Sequence, residues 1–126
     1  VNGSAAFFQG TVTGLTLDNC TFDGGVTNSG ATLSHASYLI NLPTSGTQTD
    51  IRIQNCNVTR FRYGFLKTNV STSTQKRISV LNNDFYSNYE DPCQFNNPSG
   101  VMDDILVQGN TFRDSLGTSA SLIALR

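Results

Sequence analysis

Long apolar runs are missing from this 126-residue chain. None approaches the roughly 18 residues that a bilayer-spanning helix needs, so insertion by that route is excluded. Charge is scarce too: charged residues make up 13% of the chain, and the formal net charge is −1. Duplex binding requires a basic face, so nucleic acid is not the expected partner. Three cysteines, Cys20, Cys56 and Cys93, are an odd number and give no complete disulfide framework. There is one histidine, His35, and no His/Cys cluster at ligand spacing; neither a metal nor a cofactor is expected. No segment sustains a helical period.

What the chain has in quantity is Asn, Ser and Thr, together about a third of all residues. Thr suits strands and Asn suits turns. Hydrophobic residues amount to 37%, enough for one unit with a shared core. Their arrangement is repetitive. Leu15-Thr16-Leu17-Asp18-Asn19-Cys20-Thr21-Phe22 is followed by Ile51-Arg52-Ile53-Gln54-Asn55-Cys56-Asn57-Val58. Then come Ile78-Ser79-Val80-Leu81-Asn82-Asn83-Asp84-Phe85 and Ile105-Leu106-Val107-Gln108-Gly109-Asn110-Thr111-Phe112. The first positions lie 36, 27 and 27 residues apart. Self-similarity at such a period marks stacked structural units that share one continuous core.

Within each copy the first and third residues point one way and the second points the other, as in a strand. The outward residues are Thr16, Arg52, Ser79 and Leu106. A corner follows at Asn19, Asn55, Asn82 and Gly109, the residue types that best tolerate left-handed backbone angles. The next column is Cys20, Cys56, Asn83 and Asn110. Asparagines stacked there bond to the backbone of neighbouring coils, and cysteine is a small apolar substitute. Two residues on, Phe22, Val58, Phe85 and Phe112 form an inward pillar.

A second strand type is expected at Ala5–Gln9, Tyr38–Leu42, Gly64–Thr68, Cys93–Asn96 and Leu122–Leu125, with Phe8, Ile40, Leu66 and Phe95 pointing inward. The long insertion 23–34 accounts for the wider first spacing. Short strands, Asn corners and a period of about 27 residues predict an all-β parallel β-helix (solenoid) of about four to five coils. An antiparallel sandwich explains short strands but not identical corners in register. The chain begins at Val1 and starts and stops in the same phase of the repeat without a recognisable cap. Residues 1–126 therefore read as one uncapped internal segment of a longer β-helix, or one whose ends partners cover.

The Asn-Cys-x-Phe and Asn-Asn-x-Phe corners after Ile-x-Ile strands resemble the right-handed parallel β-helix of the pectate-lyase-like superfamily. That resemblance makes the Leu15–Leu17 series the second strand of each coil. The Tyr38–Leu42 series then becomes the first strand, whose outer face usually forms a saccharide groove. Family members include polysaccharide lyases, polygalacturonases, alginate epimerases and phage tailspikes that bind or cut surface glycans. The implied partner is a polysaccharide or cell-surface glycan, and the implied location is extracellular or in a virion tail. A homotrimer or flanking β-helix coils are the expected assembly.

On this alignment the outer face carries Phe7, Leu39, Phe65 and Gln94, and one step further Gln9, Asn41, Lys67 and Asn96. Aromatic faces beside amides and amines suit sugar rings; an apolar row of this kind also suits packing against a loop or another subunit. Phe7, Asn41, Phe65, Lys67, Gln94 and Asn96 are the substrate-binding candidates. Arg60, Arg62, Glu90 and Asp91 are the catalytic candidates, because a lyase needs cations against a uronate and a base beside it. Their alternative is a solvated ion-pair network between coils. Asp103-Asp104 reads as turn capping, since the Gly-His-Gly and Arg-Ile-Lys companions of the polygalacturonase pair are absent. His35 reads as exposed. Asp23, Glu90 and Asp91 lack the compact acidic loop of a calcium site. Cys20 and Cys56, running parallel on adjacent coils, read as buried thiols rather than a disulfide.

Three functions compete at this point: glycan recognition or depolymerisation in a tailspike-like protein, a secreted polysaccharide lyase or hydrolase, and a structural or adhesin module without chemistry.

Overall fold

The computed structural model describes residues 6–9, 11–25, 38–43, 45–67, 72–95, 99–115 and 123–125, and for 6–9, 63–67 and 123–125 it describes the backbone. The first pass of the chain holds β1 (Ala6–Gln9), β2 (Thr16–Asp18) and β3 (Thr21–Asp23). The second holds β4 (Tyr38–Leu42), β5 (Thr47–Gln54) and β6 (Asn57–Thr59). The third holds β7 (Tyr63–Lys67), β8 (Thr74–Leu81) and β9 (Asp84–Tyr86). The fourth holds β10 (Cys93–Phe95), β11 (Val101–Gln108) and β12 (Thr111–Arg113), and β13 (Ile123–Leu125) follows.

Each strand pairs with the strand three further along the chain. Three sheets result: β1-β4-β7-β10-β13, β2-β5-β8-β11 and β3-β6-β9-β12. Every pairing is parallel. The described residues contain no helix, and none long and apolar enough to cross a membrane. An all-β stack of parallel strands is compatible with a β-helix-like fold.

The repeat stacks in register. Leu17, Ile53, Val80 and Val107 are successive cross-strand partners, as are Phe22, Val58, Phe85 and Phe112. The two middle levels bury these side chains completely, while Phe22 and Phe112 at the outer levels are half-buried. The Phe85 and Phe112 rings stack with centroids 5.2 Å apart and planes 9° from parallel. Each such side chain taken fully from water contributes roughly 1.5–3 kcal/mol.

Three corners shape each level. Left-handed backbone recurs at Asp50, Asn55 and Arg60, at Arg77, Asn82 and Ser87, and at Asp104, Gly109 and Asp114, with φ between 52° and 68°. The spacing is five residues every time. Gly14 and Asn19 supply the first two corners of the lowest level, at φ 73° and 53°. After two of these corners an asparagine clamps the level beneath. Asn83 accepts the Cys56 amide at 2.9 Å and donates to the Ile53 carbonyl at 3.0 Å. Asn110 does the same to Asn83 and Val80, and Asn88 to Phe61 and Val58. Cys56 occupies this position one level down, and its thiol approaches the equivalent carbonyl, Leu17, at 3.6 Å. The cysteines here are therefore weak donors as well as apolar filling; all three are free thiols.

The alignment of the first sheet differs from the one predicted. Phe65, not Leu66, pairs with Ile40, and Phe65 also pairs with Cys93. Leu66 pairs with Asn41, and Lys67 with Leu42. Asp103 and Asp104 lie inside β11 rather than in a turn before it, with Asp104 at the strand's left-handed bend.

Candidate functional site

The first sheet does not offer an open face at the levels whose side chains are described. Leu39 and Ile40 are neighbours on β4 and point to opposite faces, yet both are fully buried. In β10 the run Cys93-Gln94-Phe95 is buried throughout. A parallel sheet covered on both faces reads as a near-continuous apolar run, and Leu39, Ile40 and Leu42 are that run. Leu39 and Gln94 therefore do not line an exposed row. Gln94 instead donates to the buried Asp91 carboxylate at 2.8 Å. Asn41 is half-buried. Phe7, Phe65 and Lys67 are placed by backbone alone, on β1 and β7; Asn96 and His35 lie outside the described residues.

The charged candidates do not converge. Arg60 makes a two-pronged pair with Asp23 on the level beneath. Arg62 donates to Glu90 at 2.7 Å. Asp91, next in sequence to Glu90, is turned inward and is only 5% exposed. Each arginine thus ties one level to the next, and the two acidic residues face different surroundings. Among the described residues no three His, Cys, Asp or Glu side chains gather as metal ligands would.

The open polar surface lies on the second sheet. Its inward residues are Ile51, Ile53, Ile78 and Val80, so the residues between them face solvent. Thr16, Arg52 and Ser79 are direct cross-strand neighbours on β2, β5 and β8. To one side, on the left-handed bend, stand Asp50, Arg77 and Asp104, one from each of β5, β8 and β11. To the other side is Gln54. Together they line an open groove of about 430 Å³.

Electrostatics divide this groove. Arg77 donates to both Asp50 oxygens, at 2.6 and 2.9 Å. These bonds, with a further one from Thr49, hold the Asp50 carboxyl down at about 2. Asp18, the strand partner of Gln54 on β2, is held below its ordinary value by hydrogen bonds from Asn55 and then Gln54. Arg52 is different. Arg60, Arg62, Lys76, Arg77 and Arg113 all form ion pairs, whereas Arg52 forms none among the described residues.

The sequence reading counted Arg52 as an outward residue but missed the Asp50–Arg77–Asp104 column. These residues are spaced 27 apart, the period of the repeat itself, but they share no side-chain type that would mark the column. Comparison with protein-family models, curated protein sequences and solved structures finds no match to this chain.

Proposed function

We propose that this chain is a section of a right-handed parallel β-helix of the pectate-lyase-like type, and that it recognises a surface glycan in a tailspike-like protein. The observation that carries the reading is the open polar groove on the second sheet, where a guanidinium, two hydroxyls, an amide and carboxylates face solvent together. Sugars are bound by such mixed donors and acceptors on a rigid, preformed surface. The repeated in-register strands provide that rigidity. In this reading the glycan lies on the second sheet, not on the first as the resemblance implied. The exposed Val101, Met102 and Leu106 of β11 supply the contact for a neighbouring coil or subunit of an extracellular or virion-tail assembly.

Recognition is favoured over cleavage. A glycosidase acid must keep its proton near neutral pH, which requires a raised carboxyl pKa. The carboxyls with resolved shifts, Asp18, Asp23 and Asp50, are all lowered by hydrogen-bonded partners. Strongly paired carboxylates of this kind are also poor bases for a lyase.

The test is a titration of the labelled protein with neutral and acidic oligosaccharides, followed by amide NMR. Shifts confined to β2, β5 and β8 near Thr16, Arg52 and Ser79 are expected, with no product formed. Shifts on the first sheet alone, or none with any sugar, would refute the reading.

A further inference from the structure

We propose that Arg52 anchors a single acidic group, a carboxylate or sulfate, on the glycan that occupies this groove. The inference rests on the glycan reading and narrows its ligand. Arg52 stands in the middle of the exposed row between Thr16 and Ser79, its partners on the two adjacent strands. Neighbouring strands lie about 4.8 Å apart, so both hydroxyls come within reach of an anion seated on the guanidinium. The planar fork of an arginine matches a carboxylate or sulfate with two parallel hydrogen bonds.

The surrounding acids explain why Arg52 is left for an external partner. Asp50 is engaged at both oxygens by Arg77. Asp18 is engaged by Gln54 and Asn55, each at 2.8 Å; the Arg52 charge also favours its ionised form, as the smallest of its causes and without an ion pair between them. Asp104 stands two strands away from β5, beyond Arg77. These carboxylates also restrict the ligand. A dense polyanion would place charges against Asp18, Asp50 and Asp104 as well as against Arg52, and like charges repel. A sugar acid places one charge on Arg52 and hydroxyl groups to either side. Those hydroxyls can donate to the flanking carboxylates, whose lone pairs accept more than one bond each. The groove therefore selects isolated negative charge between hydroxyl donors, and excludes nucleic-acid-like charge density.

The test compares three probes on the whole chain: a hexasaccharide with a single glucuronate among neutral glucose residues, maltohexaose as its uncharged counterpart, and inorganic sulfate. Binding is measured by calorimetry and by the NMR signal of the Arg52 side chain. The singly charged hexasaccharide should bind at least about tenfold more tightly than maltohexaose, and Arg52→Gln should remove that advantage. Arg52→Lys should keep part of it, because charge remains and the fork is lost. Neither variant should melt differently from the parent, since Arg52 holds no ion pair that folding needs. Equal binding of both sugars, unchanged in Arg52→Gln, would overturn the anchor and leave the glycan reading standing. Sulfate shifting the Arg52 signal while neither sugar binds would sustain the anion site and remove the glycan reading. No response of Arg52 to any probe would overturn the anchor.

Discussion

Asn88 repeats, five residues further along the chain, the two bonds that Asn83 makes. Each accepts the amide of the residue 27 positions earlier and donates to the carbonyl 30 positions earlier. Both follow a residue with left-handed backbone, Asn82 and Ser87. A left-handed corner interrupts the strand ladder and strands a buried amide and a buried carbonyl on the level below. The carboxamide, with one donor and one acceptor side, satisfies both at once.

Removing either clamp therefore leaves two buried groups unpaired. Asn83→Ala and Asn88→Ala should each destabilise the chain by about 2–4 kcal/mol, against less than about 0.5 kcal/mol for Asn57→Ala on the exposed face. Cys56→Asn should go the other way. It would place a full carboxamide against the Leu17 carbonyl, which the thiol now approaches at 3.6 Å. A gain of about 1 kcal/mol is expected from denaturant titration. A clamp variant as stable as the parent would show that corner bonding does not hold the levels together.

Acid should weaken the stack through its carboxylates. Asp50 is held at about 2, against an ordinary value of 3.8, first by the Arg77 guanidinium. Asp23 is lowered by Arg60, and Asp18 by Asn55. A carboxyl whose native pKa lies below its unfolded value stabilises the fold above the unfolded value. That stability is lost as pH falls through the native one. The melting temperature should therefore hold down to roughly pH 5 and fall between roughly pH 4 and 2. Asp50→Asn should flatten part of that fall. These pairs are exposed, so salt should weaken the effect. Melting that stays level down to pH 2 would contradict the pairing.

Thiol labelling should rank the cysteines by burial. Cys20 is half-exposed, whereas Cys56 and Cys93 are buried. Burial alone pushes the Cys93 thiol up to about 12, and burial first of all raises that of Cys56. The thiolate is the reactive form. Iodoacetamide followed by mass spectrometry of the native protein should modify Cys20 first and leave Cys93 intact until unfolding. Early labelling of Cys93 would mean that β10 is not buried on both faces.

The Ile51, Ile78 and Ile105 pattern and the Phe22, Val58, Phe85 and Phe112 pillar were legible because alternation and period agreed on one buried face. The Asn19, Asn55 and Asn82 corner was legible because one residue type repeats there. The corner at Gly14, Asp50, Arg77 and Asp104 was not. Its members share a backbone conformation but no side-chain type, and arginine carries no turn signature. The slip in β7 has a different cause. Phe65 and Leu66 are adjacent apolar residues, as are Leu39 and Ile40, and a sheet buried on both faces erases the alternation that fixes register. That same double burial closed the face on which the substrate candidates Asn41 and Gln94 had been placed.

The most direct test of the parallel, in-register stack is a set of interproton contacts measured by NMR on labelled protein. Contacts between the Phe85 and Phe112 rings, and from Ile51 to Ile78 and from Ile78 to Ile105, are the predicted result. Close Hα–Hα contacts between neighbouring strands, the signature of antiparallel pairing, would contradict it.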